Sequence, residues 1–96
     1  MKIIVLPEAE MEMFEAARYY ERRQRDLGKR FLNAVESAKI DIEENPRRWP
    51  VIRRRFRRRL LGYFPYGIIY RIRRDAITLV AVMHLHRDPG YWRKRV

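Results

Sequence analysis

The spacing of apolar residues changes once along this chain, and that change limits what it can fold into. As far as Ile42 they recur every three or four residues, and from Phe56 onward they alternate, with Asn45-Pro46 between the two regimes. Ahead of the helical part, Lys2 to Leu6 is short, β-branched and apolar, and reads as a buried strand ended by Pro7. Pro7 suits the first turn of a helix, where its missing N–H is no loss, and Glu8, Glu10 and Glu12 follow near the positive end of the helix dipole. A helix over Pro7–Arg25 is predicted, with Ala9, Met13, Ala16, Ala17 and Tyr20 on its apolar face. Glu12, Glu15, Arg18, Arg22 and Arg23 are assigned to the polar face. Asp26-Leu27-Gly28 interrupts the pattern, Gly28 being able to take a positive φ at a helix end. Phe31, Ala34, Val35, Ala38 and Ile42 then mark a second helix, which Asn45-Pro46 stops. So short a joint predicts an antiparallel helical hairpin.

Pro46 to Pro50 is read as a loop anchored by Trp49. Phe56–Leu61, Phe64–Ile72 and Ala76–Leu85 are predicted as three antiparallel strands, joined by turns at Gly62-Tyr63 and Arg73-Arg74-Asp75. Strict alternation in the last strand would put Ile77, Leu79, Ala81, Met83 and Leu85 on one face, and Thr78, Val80, Val82, His84 and His86 on the other. The predicted class is therefore α+β: one domain over residues 1–96, with an N-terminal strand, a helical hairpin and a three-stranded antiparallel sheet that completes a small mixed sheet.

Charge is divided as sharply as periodicity. Residues 1–45 hold 8 Lys/Arg and 10 Asp/Glu, net −2, and residues 46–96 hold 15 and 2, net +13, which gives the overall +11. Such a field attracts phosphate backbones, anionic membrane surfaces or an acidic protein segment. No cysteine is present, so disulfides, thiolate metal sites and cysteine nucleophiles are excluded. The N-terminal apolar run is too short for a signal peptide and no stretch has the length of a membrane span, so a soluble, cytoplasmic protein is expected.

Three stretches carry candidate chemistry. In Arg53-Arg54-Arg55-Phe56-Arg57-Arg58-Arg59, a strand would place Arg55, Arg57 and Arg59 together, opposite Arg54, Phe56, Arg58 and Leu60. A charged edge strand resists aggregation, but six arginines in seven residues exceed that need, and guanidinium forks suit phosphate or carboxylate. In Phe64 to Arg71 the apolar positions read as core, leaving Arg71 over. In His84 to Arg93, the paired histidines share a face without a third ligand nearby, so neither a metal nor a cofactor is expected. His84, Arg87 and Tyr91 could instead perform acid–base chemistry on RNA, with arginines stabilising the charged intermediate. No nucleophile elbow, phosphate-binding glycine loop or helix-borne zinc motif occurs.

Taken in chain order, Ala16-Ala17-Arg18-Tyr19-Tyr20, Gly28-Lys29-Arg30-Phe31, Asn45-Pro46, Phe64-Pro65-Tyr66 with Ile69-Tyr70, and His84 through Trp92 with Arg95 resemble the RelE/ParE family of bacterial toxins, and within it the ParE-like, plasmid-stabilisation branch. The resemblance implies a helical hairpin packed on a small sheet. It also implies a growth-inhibiting toxin of a type II toxin-antitoxin system, masked by the largely acidic C-terminal segment of a cognate antitoxin. RelE-like members cut messenger RNA, commonly at the ribosome, whereas ParE-like members poison DNA gyrase without a known hydrolytic site. Where RelE-like toxins carry a phosphate-stabilising arginine after the tyrosine of the third strand, this chain has Gly67. The balance favours inhibition of a gyrase-like target over catalysis, with an mRNA endonuclease and a non-toxic nucleic-acid-binding module as alternatives. Arg55, Arg57, Arg59, Arg71, Arg87, Trp92 and Arg93 are the expected contacts to antitoxin or target, and Arg57, Arg71 and Arg87 are expected to meet antitoxin carboxylates.

Overall fold

A computed structural model describes residues 1–96. The chain runs β1 (Lys2–Val5), α1 (Pro7–Arg23), α2 (Leu27–Glu44), β2 (Val51–Arg53), β3 (Phe56–Leu60), β4 (Tyr66–Arg73) and β5 (Ala76–His84). The strands form one sheet in the order β1-β5-β4-β3-β2. β1 pairs parallel to β5 and all other pairs are antiparallel, which makes the sheet mixed, as expected.

The helical hairpin covers one face of the sheet. Ala16 and Ala17 of α1 and Phe31, Val35, Ala38 and Ile42 of α2 are buried against Ile68, Tyr70, Ile77 and Leu79, the faces that periodicity assigned. Tyr20, Phe31, Phe64 and Tyr66 interlock as tilted and edge-to-face aromatics, with ring centroids 4.9 to 6.2 Å apart, and tie the hairpin to the sheet. The Tyr70 hydroxyl donates to the Pro46 carbonyl (2.7 Å), and Trp49 packs on the same core, so the loop after α2 is held at both points. Burial raises the Tyr70 hydroxyl above the ordinary phenol value, with nearby Arg57 opposing the rise.

The joint between the helices differs from the sequence reading. The residue with positive φ is Asp26 (69°), and Gly28 lies inside the first turn of α2. Glu21 of α1 caps that turn, its carboxylate accepting from the Asp26 and Gly28 amides at 3.0 Å each. Gly28 serves close packing instead: a Cβ there would collide with the Ala17 carbonyl oxygen.

The sheet departs from prediction at two places. The arginine run does not form one strand: Arg54 and Arg55 make the turn between β2 and β3, and β2, an exposed edge strand, was not anticipated. Arg57 and Arg59 do share a face, whereas Arg55 sits in the turn. In β5, Ile69 pairs with Ala81 and Tyr70 with Leu79, leaving Val80 as the extra residue of a β-bulge. The bulge reverses the alternation. Ile77, Leu79 and Val82 face the helices, while Val80, Ala81 and Met83 join Phe56, Ile69 and Trp92 in a second apolar cluster on the other face.

Because the Gly28 contact is with backbone, relief would require the helices to separate. Gly28→Ala is expected to cost about 1–3 kcal/mol in urea unfolding, the range for overpacked sites. An unchanged midpoint would show that the helices can part freely.

Candidate functional site

β1 stops at Val5 because Pro7 begins α1, and beyond Leu79 the outer edge of β5 has no strand beside it. Glu12, one turn into α1, fills that gap. Its carboxylate accepts the Val82 amide (3.1 Å), both terminal nitrogens of Arg95 (2.9 and 3.0 Å), the Tyr91 hydroxyl (2.5 Å) and Arg87 Nη1 (3.3 Å). Arg95 also donates to the Val80 carbonyl (3.0 Å), so both backbone groups freed near the bulge are paired with side chains. The Glu12 side chain is only 12% exposed and that of Arg95 16%. A carboxylate so withdrawn from water is stable only with partners of this kind.

The C-terminal segment is thereby bound to the sheet. Trp92 is fully buried, its ring 4.6 Å from that of Phe56, and it closes the second cluster over Ile69, Val80 and Met83. Above the carboxylate, the Arg87 and Arg95 guanidiniums lie 3.7 and 5.0 Å from the centre of the Tyr91 ring. Burial, the hydrogen bond to Glu12 and its charge raise the Tyr91 hydroxyl far above the ordinary phenol value, against the two arginines. The hydrogen bond to Glu12 likewise holds Arg95 charged.

The three residues proposed for acid–base chemistry are not arranged as one free set. Tyr91 is committed to Glu12, and Arg87, although 54% exposed, is paired to the same carboxylate. His84 stacks edge-on against Tyr66 (5.0 Å), and its Nδ1 accepts the His86 amide (3.1 Å). His84 and Arg87 do line one cleft of about 250 Å³ with Tyr19 and Tyr66, but Glu12 and Glu15 line it too. The His84 and His86 rings are 5.2 Å apart, and no cluster of three or more His, Asp or Glu side chains forms in the molecule.

The basic residues divide in the same way. Arg57 donates to the carbonyls of Arg47 (3.1 Å) and Trp49 (2.7 Å). Arg59 pairs with Asp41 (2.6 Å), donates to the Leu60 carbonyl and lies over the Trp49 ring. These two brace the α2–β2 loop, and Trp92, expected at a surface contact, is core. Arg55, Arg71 and Arg93 take part in no ion pair, and Arg71 stands opposite Phe56 in the β3–β4 register. Beside them, Arg53, Arg54, Phe56, Arg93 and Lys94 line a cleft of about 340 Å³. Gly67 is crossed by the Arg58 stem, whose carbons would lie 3.0 and 3.1 Å from a Cβ there.

Glu12 was missed because its charge outweighed its position. Ala9, Glu12 and Ala16 fall at i, i+3 and i+7, so helical spacing alone places it on the buried stripe.

Known proteins share the family profile and the fold. The family profile described as the ParE toxin of type II toxin-antitoxin system, parDE, matches residues 3–89. The solved structure of the chromosomal ParDE TA system from P. aeruginosa has the same fold, with a TM-score of 0.67 at 13% identity over 90% of this chain and 97% of that chain. Among curated proteins, none matches. No helix is long and apolar enough to cross a membrane.

Two outcomes test the cluster. Glu12→Ala leaves Arg95 and Tyr91 without their acceptor and is expected to cost roughly 3–5 kcal/mol in denaturant unfolding, the range for breaking a buried pair. A loss under about 1 kcal/mol, that of a surface pair, would contradict the assignment. The raised Tyr91 hydroxyl contributes stability that is complete below the unfolded phenol value near pH 10 and is lost as pH rises above it, because the unfolded phenol ionises first. Melting followed from about pH 9 to 11 should therefore show a decline that is smaller in Tyr91→Phe. Equal declines would dissociate Tyr91 from the alkaline loss.

Proposed function

This chain belongs to the ParE toxin family of type II toxin-antitoxin systems, and on that premise we propose that it arrests growth by binding DNA gyrase and is neutralised by the acidic C-terminal segment of a cognate antitoxin. The observation that carries a binding mechanism over a cutting one is the closure around Glu12. Tyr91, one of the two candidate proton carriers with His84, donates to a carboxylate and is pushed away from ionisation. A ribonuclease needs a group that exchanges protons near neutral pH. Gly67 supplies no cation where RelE-like toxins have one.

The ribonuclease reading keeps one observation, the cleft shared by His84 and Arg87. In that cleft the Arg87 charge is already paired with Glu12, and Glu15 opposes the approach of a phosphate. The basic surface suits an acidic peptide better, since its carboxylates can pair with Arg55, Arg71 and Arg93, which form no ion pair within the chain.

Purified chain added to gyrase, supercoiled DNA and ATP is expected to trap double-strand cleavage complexes on detergent treatment, while messenger RNA incubated with it stays intact. His84→Ala should behave like the parent. Shortened RNA together with unperturbed gyrase would reverse the conclusion. Arg71→Glu combined with Arg93→Glu is expected to weaken antitoxin binding by roughly tenfold or more in calorimetry, because it turns attraction into repulsion. Unchanged affinity would place the antitoxin elsewhere.

A further inference from the structure

Two arginines in this fold occupy backbone conformations that arginine disfavours. Arg54, in the β2–β3 turn, has φ 48°, and Arg74, in the β4–β5 turn, has φ 54°. Turns with positive φ select Gly, Asn or Asp, and the third such residue, Asp26, is of that kind. Both strained arginines border one cleft. Together with Arg47, Arg55 and Arg57 they surround a volume of about 520 Å³. The ion pairs of the molecule, at Lys39, Arg59, Arg87 and Arg95, involve none of the five. Arg57 is fixed there by two backbone carbonyls, which hold its position without neutralising its charge. Five like charges brought together, two of them on strained backbone, oppose folding, and such arrangements concentrate where a ligand is bound.

We infer that this cleft is a binding site for the phosphate backbone of duplex DNA. The other lining residues are Val51 and Ile72, so no aromatic ring is present on which an unstacked base could lie. What remains is a rim of guanidinium forks, which suits a rigid array of phosphates. The site lies at the Arg73–Ala76 end of the β4–β5 ladder, and His84 lies at the Tyr66 end, roughly 23 Å away at the rise of a strand. The His84 end is therefore separate from the proposed contact. If gyrase is the target, the chain would grip enzyme and DNA at once; that consequence rests on the proposed function, whereas binding to DNA does not.

The test uses the full chain and a fluorescein-labelled 20-base-pair duplex without gyrase, followed by anisotropy over a salt series. Binding is expected with a slope of log affinity against log salt of about −4, as for four or five neutralised phosphates. Arg54→Gly with Arg74→Gly should reduce the slope by about 2 and the affinity at least tenfold, with a melting temperature equal to or above that of the parent because glycine relieves the positive φ. Arg47→Gln with Arg55→Gln, which leaves both strained positions untouched, should lose a similar amount. Arg22→Gln with Arg25→Gln, removing the same charge from the exposed end of the helical hairpin, should keep the slope. An equal loss in that control would overturn the proposal by showing a diffuse charge effect. So would a lower melting temperature in the glycine pair, or binding of polyglutamate or single-stranded DNA in preference to the duplex.

Discussion

One carboxylate completes the sheet. β5 extends past the end of β1, and Glu12 reaches across from α1 to accept the Val82 amide that no strand can accept. Its remaining lone pairs hold Arg95, Tyr91 and Arg87, and these carry the C-terminal segment over the edge and place Trp92 on the second apolar cluster. The face opposite the helices therefore has a core because α1 has a carboxylate at position 12. An isolated charge at that depth would be strongly unfavourable, and a hydrocarbon there would leave an amide and two cations unpaired.

The same accounting explains why +11 is not a uniform field. Arg57, Arg59 and Arg95 are structural: they satisfy carbonyls and carboxylates at places where loops or edges would otherwise leave them bare. Arg87 is shared between the Glu12 cluster and solvent. Arg47, Arg54, Arg55, Arg71, Arg74 and Arg93 have no carboxylate partner, and they are gathered around the β2–β3 turn and the neighbouring sheet end and C-terminal segment. The charge of this last group is offset by no carboxylate of the chain.

Much of the fold was legible because periodicity and burial coincide. Phe31, Val35, Ala38 and Ile42 could be assigned to the core from spacing alone, and Asn45-Pro46 marked the end of α2. The β5 bulge was not, since alternation in sequence carries no sign of the partner strand's register, and Val80 looks like any other β-branched residue. β2 was hidden by its neighbours: Val51 and Ile52 are few, exposed and followed by arginines, so no buried face announced a strand. For the site, residue type misled where position did not. Trp92 and Tyr91 were read as surface chemistry because aromatics among arginines suggest binding, and Glu12 was read as surface because it is charged. The partners of Glu12 and Tyr91 lie 70 to 83 positions away in the chain, which no local pattern reveals.

The claim that Glu12 holds the C-terminal segment in place is tested most directly by native-state amide exchange, comparing the parent with Glu12→Gln. Protection of the Val82, Arg93 and Arg95 amides should fall far more than that of Ile69 and Leu79 in the central ladder, because the segment can open while the ladder stays paired. A uniform fall across all of these amides would show only a loss of global stability, and no selective fall would contradict the role given to Glu12.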